Sequence, residues 1–291
     1  MPSRILGKIE LDQILLADDL ATLASFPRIE EAYDEFSSGY WKNCSLWNAS
    51  GEASDTTYRD INSQARETDY GRKLPYLESV VRKHFDMSRV TMVRARNLVD
   101  AMVIPHRDFV ELEKSKERYF RLFMVLEDNP AALHSDETGV FRMRPGEVWF
   151  LDAASVHAAV NFSTNSRQSI CVDFVFDGPF EDWQVFANQK VYRPDITPEK
   201  PFRQPPQEEE FSERLRALAA VIDHDNFKDV LFLLSKVHFR TDVPITATYD
   251  WLVEVCKESG DATLTRKAEK LRRYMVEKRV MDERLSIASA A

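Results

Sequence analysis

Two histidines and one aspartate in this sequence have the side chains and the spacing that could hold a transition-metal ion. His106 and Asp108 follow the apolar run 101–105, and alternate side chains of an extended chain point to the same side. His157 follows a second apolar run, 148–152. Two imidazoles and one carboxylate occupy one face of a non-haem Fe(II) ion and leave adjacent positions open for a co-substrate and O2. These residues therefore predict an iron site, although a His-x-Asp sequence alone is often only structural.

An arginine beyond His157 supports the interpretation as an iron site. Arg167 and Ser169 lie at the start of the predicted strand 167–176 and would point to one face of it. A guanidinium group matches a carboxylate with two parallel hydrogen bonds, and a serine hydroxyl can donate a third. Arg167 and Ser169 are therefore predicted to bind the far carboxylate of 2-oxoglutarate while the other end of this diacid binds the metal.

Further arginines are candidates for binding the carboxylate of a substrate. Arg94 and Arg96 alternate on the predicted strand 90–98 and so face one side, and Arg121 lies on the predicted strand 119–126. A buried cation is costly unless it is paired, so the alternative is that these arginines lie on a solvated face or pair with local carboxylates. The sequence leaves both possibilities open and does not rank the arginines.

The remaining histidines and the cysteines are interpreted as structural. His84, His224 and His238 lie in predicted helical segments, and Asp173 is interpreted as a residue of a sheet edge or as the partner of a local cation. The cysteines lie far apart and form no CxxC pattern, which predicts reduced thiols in apolar surroundings. They are Cys44, Cys171 and Cys256.

The elements that must position these residues are short strands in the first two thirds of the chain and helices in the last third. Apolar and β-branched runs between polar turns predict strands at 5–11, 40–47, 90–98, 102–105, 119–126, 147–151, 156–161 and 169–176. Apolar residues at helical spacing predict helices at 11–24, 76–84, 211–222, 227–239, 249–256 and 263–281. Many short strands without alternating helices favour an antiparallel sandwich or barrel over a parallel α/β sheet.

A proline-rich segment separates the two parts of the chain. Five prolines between Pro194 and Pro206 remove backbone donors and prevent a continuous helix. The predicted organisation is a mainly β domain over 1–200 and an α-helical C-terminal domain over 201–291. The C-terminal helices either close over the β domain or form the interface of a homodimer, and the sequence does not separate these alternatives.

The composition argues against several classes of protein. The chain has 291 residues with 39 Lys+Arg against 48 Asp+Glu, a formal net charge of −9. An acidic chain is unsuited to general nucleic-acid binding, because phosphate contacts need clustered cations. No apolar run approaches the ~20 residues of a membrane span, and the first residues lack the apolar core of a secretory signal. We therefore expect a cytoplasmic protein that binds neither nucleic acid nor a membrane.

Several segments, spread over most of the chain, match one family of enzymes. The strongest matches are VIPHRDFVEL at 103–112, MRPGEVWFLD at 143–152 and RQS at 167–169, and the others lie at 5–13, 33–36, 41–43 and 231–238. With these segments the chain resembles the bacterial proline 3-hydroxylases that act on free L-proline. It is more distantly similar to proline cis-4-hydroxylases and aspartyl/asparaginyl β-hydroxylases. The resemblance implies a mainly β fold with a double-stranded β-helix core (jelly-roll or cupin-like) and an α-helical C-terminal domain.

The resemblance also implies an activity and the roles of individual residues. The implied reaction is hydroxylation of L-proline at C3 to cis-3-hydroxy-L-proline, with decarboxylation of 2-oxoglutarate to succinate and CO2. The implied cofactors are Fe(II), 2-oxoglutarate and O2. His134, on the predicted loop 127–138, would contact the co-substrate, and the alternative is that it is a histidine of a surface loop. The alternatives are hydroxylation at C4 or of another amino acid or peptide residue, and a non-enzymatic jelly-roll module whose histidines and aspartate are structural.

One position departs from the family pattern. Related enzymes often have Arg-x-His-Leu where this chain has Arg121-Leu-Phe123-Met124. Phe123 therefore replaces a polar group near the co-substrate or amino-acid pocket, which bears on substrate range and rate more than on the iron site. Trp41 and Trp47 are predicted to lie in the core or in the wall of the pocket.

Overall fold

The structure is a computed structural model that describes residues 3–29, 35–56, 64–107, 119–153, 155–277 and 287. Its strands are β1 (Arg4–Lys8), β2 (Ser37–Asn48), β3 (Arg66–Glu67), β4 (Val90–His106), β5 (Tyr119–Val125), β6 (Ala132–Asp136), β7 (Gly139–Phe141), β8 (Glu147–Phe150), β9 (His157–Asn161) and β10 (Gln168–Val175). Its α-helices are α1 (Gln13–Ser25), α2 (Pro75–His84), α3 (Glu208–Ala219), α4 (Phe227–Ser235), α5 (Ala247–Glu258) and α6 (Ala262–Arg272). Among these described residues, no helix is both long and apolar enough to cross a membrane.

The strands form one curled antiparallel sheet in which β4 is central. The order is β1-β8-β5-β10-β4-β9-β6-β7, with β2 paired to β4 and β3 paired to β2. The first part of β4, up to Asn97, pairs with β10, and its second part, from Ala101, pairs with β9. The strand therefore belongs to both halves of the sheet, and residues from the two halves can meet on the concave side.

The bend in β4 explains why one strand was predicted as two. Asp100 has a positive φ of 41°, and it faces Gly39 of β2, whose φ is 73°. A Cβ atom on Gly39 would lie 2.0 Å from the carbonyl oxygen of Asp100, so glycine is required where the two strands approach. The polar bend interrupts the apolar pattern, and the predicted strands 90–98 and 102–105 are the two arms of β4.

The predicted fold class is confirmed, because a mainly β sheet precedes a set of C-terminal helices. These helices, α3 to α6, share an apolar cluster with β4 and β9. One apolar cluster joins Ile104 and Val160 of the sheet to Leu231 and Leu252 of the helices. The C-terminal helices therefore lie against the β part of the same chain.

The proline-rich segment runs from the sheet to the helices. Isolated bridges pair Arg142 with Glu199 on the sheet side and Gln204 with Thr241 on the helical side. Because the apolar cluster is continuous across both parts, the boundary at residue 200 stays a prediction. The three cysteines are buried free thiols, as the sequence predicted.

His134 lies on a strand and not on the predicted loop 127–138. It belongs to β6, one of three strands, with β3 and β7, that the sequence did not predict. β6 is short and buried at all of its residues, so it shows no alternation of apolar and polar residues. The turn signal of Asn129 and Pro130 just before it also favoured a loop.

A buried histidine in the helical part makes the stability of the protein dependent on pH. His238 is 1% exposed, and burial together with the Arg203 guanidinium lowers its pKa from 6.5 to about 3. Below pH 6.5 the unfolded chain binds a proton at this residue and the folded chain does not. The contribution of His238 to the free energy of unfolding is therefore complete above pH 6.5. It falls as the pH decreases towards 3, by up to about 1.4 kcal/mol per pH unit. Urea unfolding should show this loss in the wild type and a smaller loss in His238→Gln.

The exposed His224, which pairs with Asp261, provides the control. His224→Gln should leave the difference in stability between pH 6.5 and pH 4 close to that of the wild type. The same pH dependence in His238→Gln as in the wild type would show that His238 does not contribute to it.

Candidate metal and carboxylate site

One cavity on the concave side of the sheet contains most of the side chains that the sequence singled out. Its walls come from both halves of the sheet, since β2, β4, β5, β6 and β9 all contribute to it. The lining residues include His106, His134, His157, Arg94, Arg96, Arg121, Arg167, Trp41 and Phe123. We call it the basic cavity. The fold thus brings together histidines and arginines that are spread over much of the sequence.

His106 and His157 face each other across neighbouring strands in the basic cavity. They are directly paired in the ladder between β4 and β9, and the centres of their rings are 4.3 Å apart. His106 is the last residue of β4 and His157 is the first residue of β9. The antiparallel pairing of these strand ends therefore places the two imidazoles side by side.

Backbone carbonyl groups hold both imidazoles in the same tautomer. His106 Nδ1 donates to Ile104 O at 2.7 Å, and His157 Nδ1 donates to Ser155 O at 3.0 Å. In a neutral ring, a proton on Nδ1 leaves the lone pair on Nε2, and the second nitrogen of a metal-binding histidine usually donates in this way. The two rings therefore fit the requirements of transition-metal ligands.

Asp108, the predicted third ligand, lies outside the described residues. Within the part of the chain that the structure describes, no three histidine, cysteine, aspartate or glutamate side chains form a group that could hold a metal ion. The complete ligand set of His106, Asp108 and His157 therefore stays a prediction, which the orientation of the two imidazoles supports.

Arg167 places a buried guanidinium group in the lining of the basic cavity. Its side chain is 4% exposed, its guanidinium carbon lies 5.2 Å from the centre of the Phe123 ring, and its Nη2 lies 3.8 Å from Met143 Sδ. No carboxylate of the described residues pairs with it. Burial, with a smaller contribution from Arg96, lowers the pKa of Arg167 to about 10. Since an unpaired buried cation is costly, this surrounding fits a site completed by a bound carboxylate.

Ser169 has a different contact from the one that the sequence predicted for it. It is buried on the same face of the strand as Arg167, but its Oγ donates to Arg96 O at 3.4 Å. It is not among the residues that line the basic cavity. The part of Ser169 in binding 2-oxoglutarate stays a prediction.

His134 contributes a third imidazole to the basic cavity. Its ring centre is 6.0 Å from that of His157, and its buried Nε2 has no hydrogen-bond partner among the described residues. Burial lowers the pKa of His134 well below its usual value, and the positive charges of His157, Arg167 and His106 act in the same direction. The ring is therefore neutral at ordinary pH and offers a polar atom to a ligand.

Arg94 and Arg121 share one buried carboxylate. Arg121 donates to Asp173 through Nε at 2.7 Å and through Nη2 at 3.2 Å, and Arg94 Nη2 lies 3.6 Å from the same carboxylate. Burial tends to raise the pKa of Asp173, but the two guanidinium groups hold it below its usual value. β10 lies between β4 and β5, so the interpretation of Asp173 as an edge residue is wrong and the alternative of local pairing is correct.

Arg96 is held differently from the other two arginines. It is half-buried, and its guanidinium carbon lies 5.6 Å from the centre of the Trp41 ring. Its buried Nε has no hydrogen-bond partner, and no carboxylate in the described part of the chain pairs with it. The basic cavity therefore contains two guanidinium groups, those of Arg96 and Arg167, that the described residues do not neutralise.

Two residues beside the basic cavity were not singled out from the sequence. Phe36 lies parallel to the His106 ring at 6.3 Å between ring centres, and Met143 contacts Arg167. Met143 begins the matching segment 143–152 and Phe36 ends the matching segment 33–36, so the resemblance could have pointed to both residues. His84, His224 and His238 lie outside the cavity lining, in agreement with their structural interpretation.

Comparisons with known proteins give matches over nearly the whole chain. The family model for aspartyl/asparaginyl beta-hydroxylase matches residues 10–176, and the model for the C-terminal part of L-proline 3-hydroxylase matches residues 182–283. L-proline cis-3-hydroxylase 2 of Streptomyces sp is 54% identical over 99% of this chain and 100% of its own length. L-proline cis-3-hydroxylase 1 of Streptomyces sp is 49% identical over the same shares of the two chains. L-proline cis-4-hydroxylase of Rhizobium meliloti (strain 1021) is 33% identical over 95% of this chain and 96% of its own.

Proposed function

The chain belongs to the L-proline 3-hydroxylase family, and we propose that it hydroxylates free L-proline at C3 to give cis-3-hydroxy-L-proline. The reaction couples this step to oxidative decarboxylation of 2-oxoglutarate to succinate and CO2. The observation that carries the proposal is the identity of 54% with a cis-3-hydroxylase over its full length, against 33% with a cis-4-hydroxylase. Because full-length relatives are enzymes, the alternative of a non-enzymatic module is not favoured.

The cofactors of this activity are Fe(II), 2-oxoglutarate and O2. When they are bound, they supply the oxidant for C–H hydroxylation. His106 and His157 would hold the iron through Nε2, with Asp108 as the carboxylate ligand. The carbonyl groups of Ile104 and Ser155 keep the Nδ1 protons in place, so both rings present the correct nitrogen before any metal binds.

Arg167 would bind the far carboxylate of 2-oxoglutarate, assisted by Ser169 and His134. Phe123 and Met143 support the Arg167 guanidinium without competing for its N–H donors as a carboxylate would. Phe123, which replaces the family histidine, therefore contacts the Arg167 guanidinium group through the face of its ring. A neutral His134 can share a hydrogen bond with the co-substrate and adds no further positive charge beside Arg167.

The L-proline carboxylate would bind at Arg94, Arg96 and Arg121, with Arg96 as the main partner. These three arginines carry three positive charges, and Asp173, the carboxylate partner of two of them, carries one negative charge, so positive charge is in excess. Arg121 and Arg94 already pair with Asp173, whereas Arg96 has no carboxylate among the described residues. Because the ring carbon that lies nearest the metal is the one that reacts, the position of this carboxylate sets the choice between C3 and C4.

The function is tested by measuring succinate formation with a panel of amino acids, followed by NMR of the product. We expect succinate release to depend on L-proline and the hydroxyl group to be on C3. A hydroxyl group on C4 would move the assignment to the sister activity. Turnover of another amino acid or a peptide, with none of proline, would overturn the proposed substrate.

Replacing Arg96 should raise the requirement for L-proline more than the requirement for 2-oxoglutarate. Arg96→Met keeps an unbranched side chain and removes the guanidinium group with its charge. A hydrogen bond to a charged group contributes about 1.5–3 kcal/mol, so we expect the KM for proline to rise on the order of 10- to 100-fold. Arg193→Met, at an exposed arginine that pairs with Asp195, is the matched control. An unchanged KM for proline in Arg96→Met would exclude Arg96 as the carboxylate partner.

Two further predictions from the sequence concern the oligomeric state and the location in the cell, and neither depends on the activity. The homodimer stays a prediction that light scattering of the purified protein tests. The cytoplasmic location stays a prediction that cell fractionation tests.

A further inference from the structure

β4 has an irregular stretch just before His106. The ladder with β9 pairs Val103 with Ala159 and then His106 with His157, and the register shifts between these pairs. Val103 and His106 line the basic cavity, whereas Ile104 packs in the apolar cluster with the C-terminal helices. In a regular strand, His106 would share the face of Ile104 and point towards those helices. The register shift therefore turns His106 into the basic cavity.

The carbonyl groups of this irregular stretch both have side-chain partners. Ile104 O accepts the hydrogen bond from His106 Nδ1, and Pro105 O accepts a hydrogen bond from Tyr249 Oη of α5. Tyr249 is fully buried, and burial raises its pKa well above the usual value, so the phenol keeps its proton. A buried carbonyl needs a donor, and α5 supplies it at the residue that precedes His106.

A second hydrogen bond joins the helical part to the strand of His134. His238 Nε2 and Ser135 Oγ are 2.8 Å apart, and both side chains are buried. Because side chains alternate along β6, Ser135 points away from the basic cavity while its neighbour His134 lines it. The partner of Ser135 therefore lies on the outer side of the strand, directly behind His134.

The three cavity histidines lie on the neighbouring strands β4, β9 and β6. The hydrogen bond from Tyr249 reaches β4, and the hydrogen bond between His238 and Ser135 reaches β6. We propose that Tyr249 and His238 are positioning residues: through Pro105 and Ser135 they hold β4 and β6 from outside, so that His106 and His134 keep their orientation in the basic cavity. The inference rests on the proposed function, which assigns His106 to the metal and His134 to 2-oxoglutarate.

Polar groups in an apolar cluster are directional constraints. A buried hydroxyl or imidazole is costly without a hydrogen bond, and a hydrogen bond requires a defined direction, whereas the hydrophobic effect has none. Tyr249 and His238 are surrounded by apolar cluster residues such as Leu252 and Phe239. Each makes its hydrogen bond to a strand residue next to a cavity histidine. Through these bonds the C-terminal helices would fix the orientation of His106 and His134.

The inference predicts different effects for two conservative variants. Tyr249→Phe should weaken binding of Fe(II) alone on the order of tenfold, the size expected when a partner behind a metal ligand is lost. Its requirement for 2-oxoglutarate at saturating iron should change little. Ser135→Ala should show the reverse pattern, with the KM for 2-oxoglutarate raised on the order of tenfold and the affinity for Fe(II) nearly unchanged. Iron binding is measured by anaerobic titration with tryptophan fluorescence, since Trp41 lines the basic cavity.

Val255→Ala is the control for a general loss of stability. Val255 is fully buried in α5 and makes neither hydrogen bond, so this variant should lower Tm without changing Fe(II) affinity or the KM for 2-oxoglutarate. The inference would be overturned if Tyr249→Phe kept the wild-type affinity for Fe(II), or if Val255→Ala lost as much Fe(II) affinity as Tyr249→Phe. In either case, turnover by the wild type would still support the proposed function. If Tyr249→Phe does not fold, the selective rise of the KM in Ser135→Ala decides the question. Wild-type protein that binds no Fe(II) would instead remove the proposed function and the inference with it.

Discussion

His106→Ala and His157→Ala are expected to form no measurable succinate with L-proline while keeping the wild-type fold. Each removes an imidazole whose Nδ1 is already fixed by a backbone carbonyl, and so removes a directed ligand. The loss should exceed the about 10- to 100-fold that loss of an outer partner of a metal site costs. Stability should fall by about 1–3 kcal/mol, because a buried carbonyl loses its donor. The sequence predicts the same loss of turnover for Asp108→Ala.

The measurement combines succinate formation, Fe(II) titration and circular dichroism on each variant. His224→Ala provides the control, since this exposed histidine pairs with Asp261 away from the basic cavity. It should keep wild-type turnover and iron affinity. Wild-type rates in either His106→Ala or His157→Ala would remove that residue from the set of metal ligands.

Arg167→Met is expected to bind 2-oxoglutarate much more weakly and, without ligands, to be more stable than the wild type. Truncating one partner of a buried charged pair costs about 2–5 kcal/mol, so the KM for 2-oxoglutarate should rise by about 30-fold or more. The KM for proline should change far less. Burial lowers the pKa of Arg167 to about 10, because removing the guanidinium group from water disfavours its charged form. Replacing it with an apolar side chain should therefore stabilise the ligand-free protein by on the order of 1 kcal/mol.

Arg167→Lys separates the effect of charge from the effect of geometry. Lysine keeps the cation but lacks the planar fork that binds a carboxylate with two hydrogen bonds. We expect the KM for 2-oxoglutarate to be raised and the gain in stability to be absent. Urea unfolding without ligands and steady-state kinetics measure the two effects. Equal stability of the wild type and Arg167→Met would contradict the conclusion that the cation is buried at a cost.

The four arginines of the basic cavity differ in their carboxylate partners: Arg94 and Arg121 share Asp173, whereas no carboxylate of the described residues pairs with Arg96 or Arg167. Asp173 neutralises part of the charge of Arg121 and Arg94 and keeps these side chains fixed. Arg96 and Arg167 retain charge for ligands that arrive with their own carboxylates. Because an unpaired buried cation is costly, the protein should gain stability when anionic ligands bind in the basic cavity.

The local elements could be predicted well from the sequence, because they depend on residues that are close along the chain. The predicted helix at 76–84 is α2, and the predicted strand at 119–126 is β5 within a residue at its C-terminal end. The sequence did not predict short elements that lack a pattern of apolar and polar residues, such as β6. It also did not predict that β4 continues across its bend. In both cases the pairing with a distant strand, and not the local sequence, makes the element.

The sequence alone predicted the chemistry of the candidate site, that is, two imidazoles, the carboxylate of Asp108 and an arginine suited to a diacid, and the described residues place His106, His157 and Arg167 in one cavity. Side-chain type and the alternation of an extended chain are local properties, so they can be deduced from spacing. Only the tertiary structure decided that Asp173 pairs with Arg121 and Arg94 while Arg96 does not, and that Tyr249 and His238 lie behind the cavity histidines. These contacts depend on the register between strands and on how helices pack against them, and both are fixed by residues far apart in the chain.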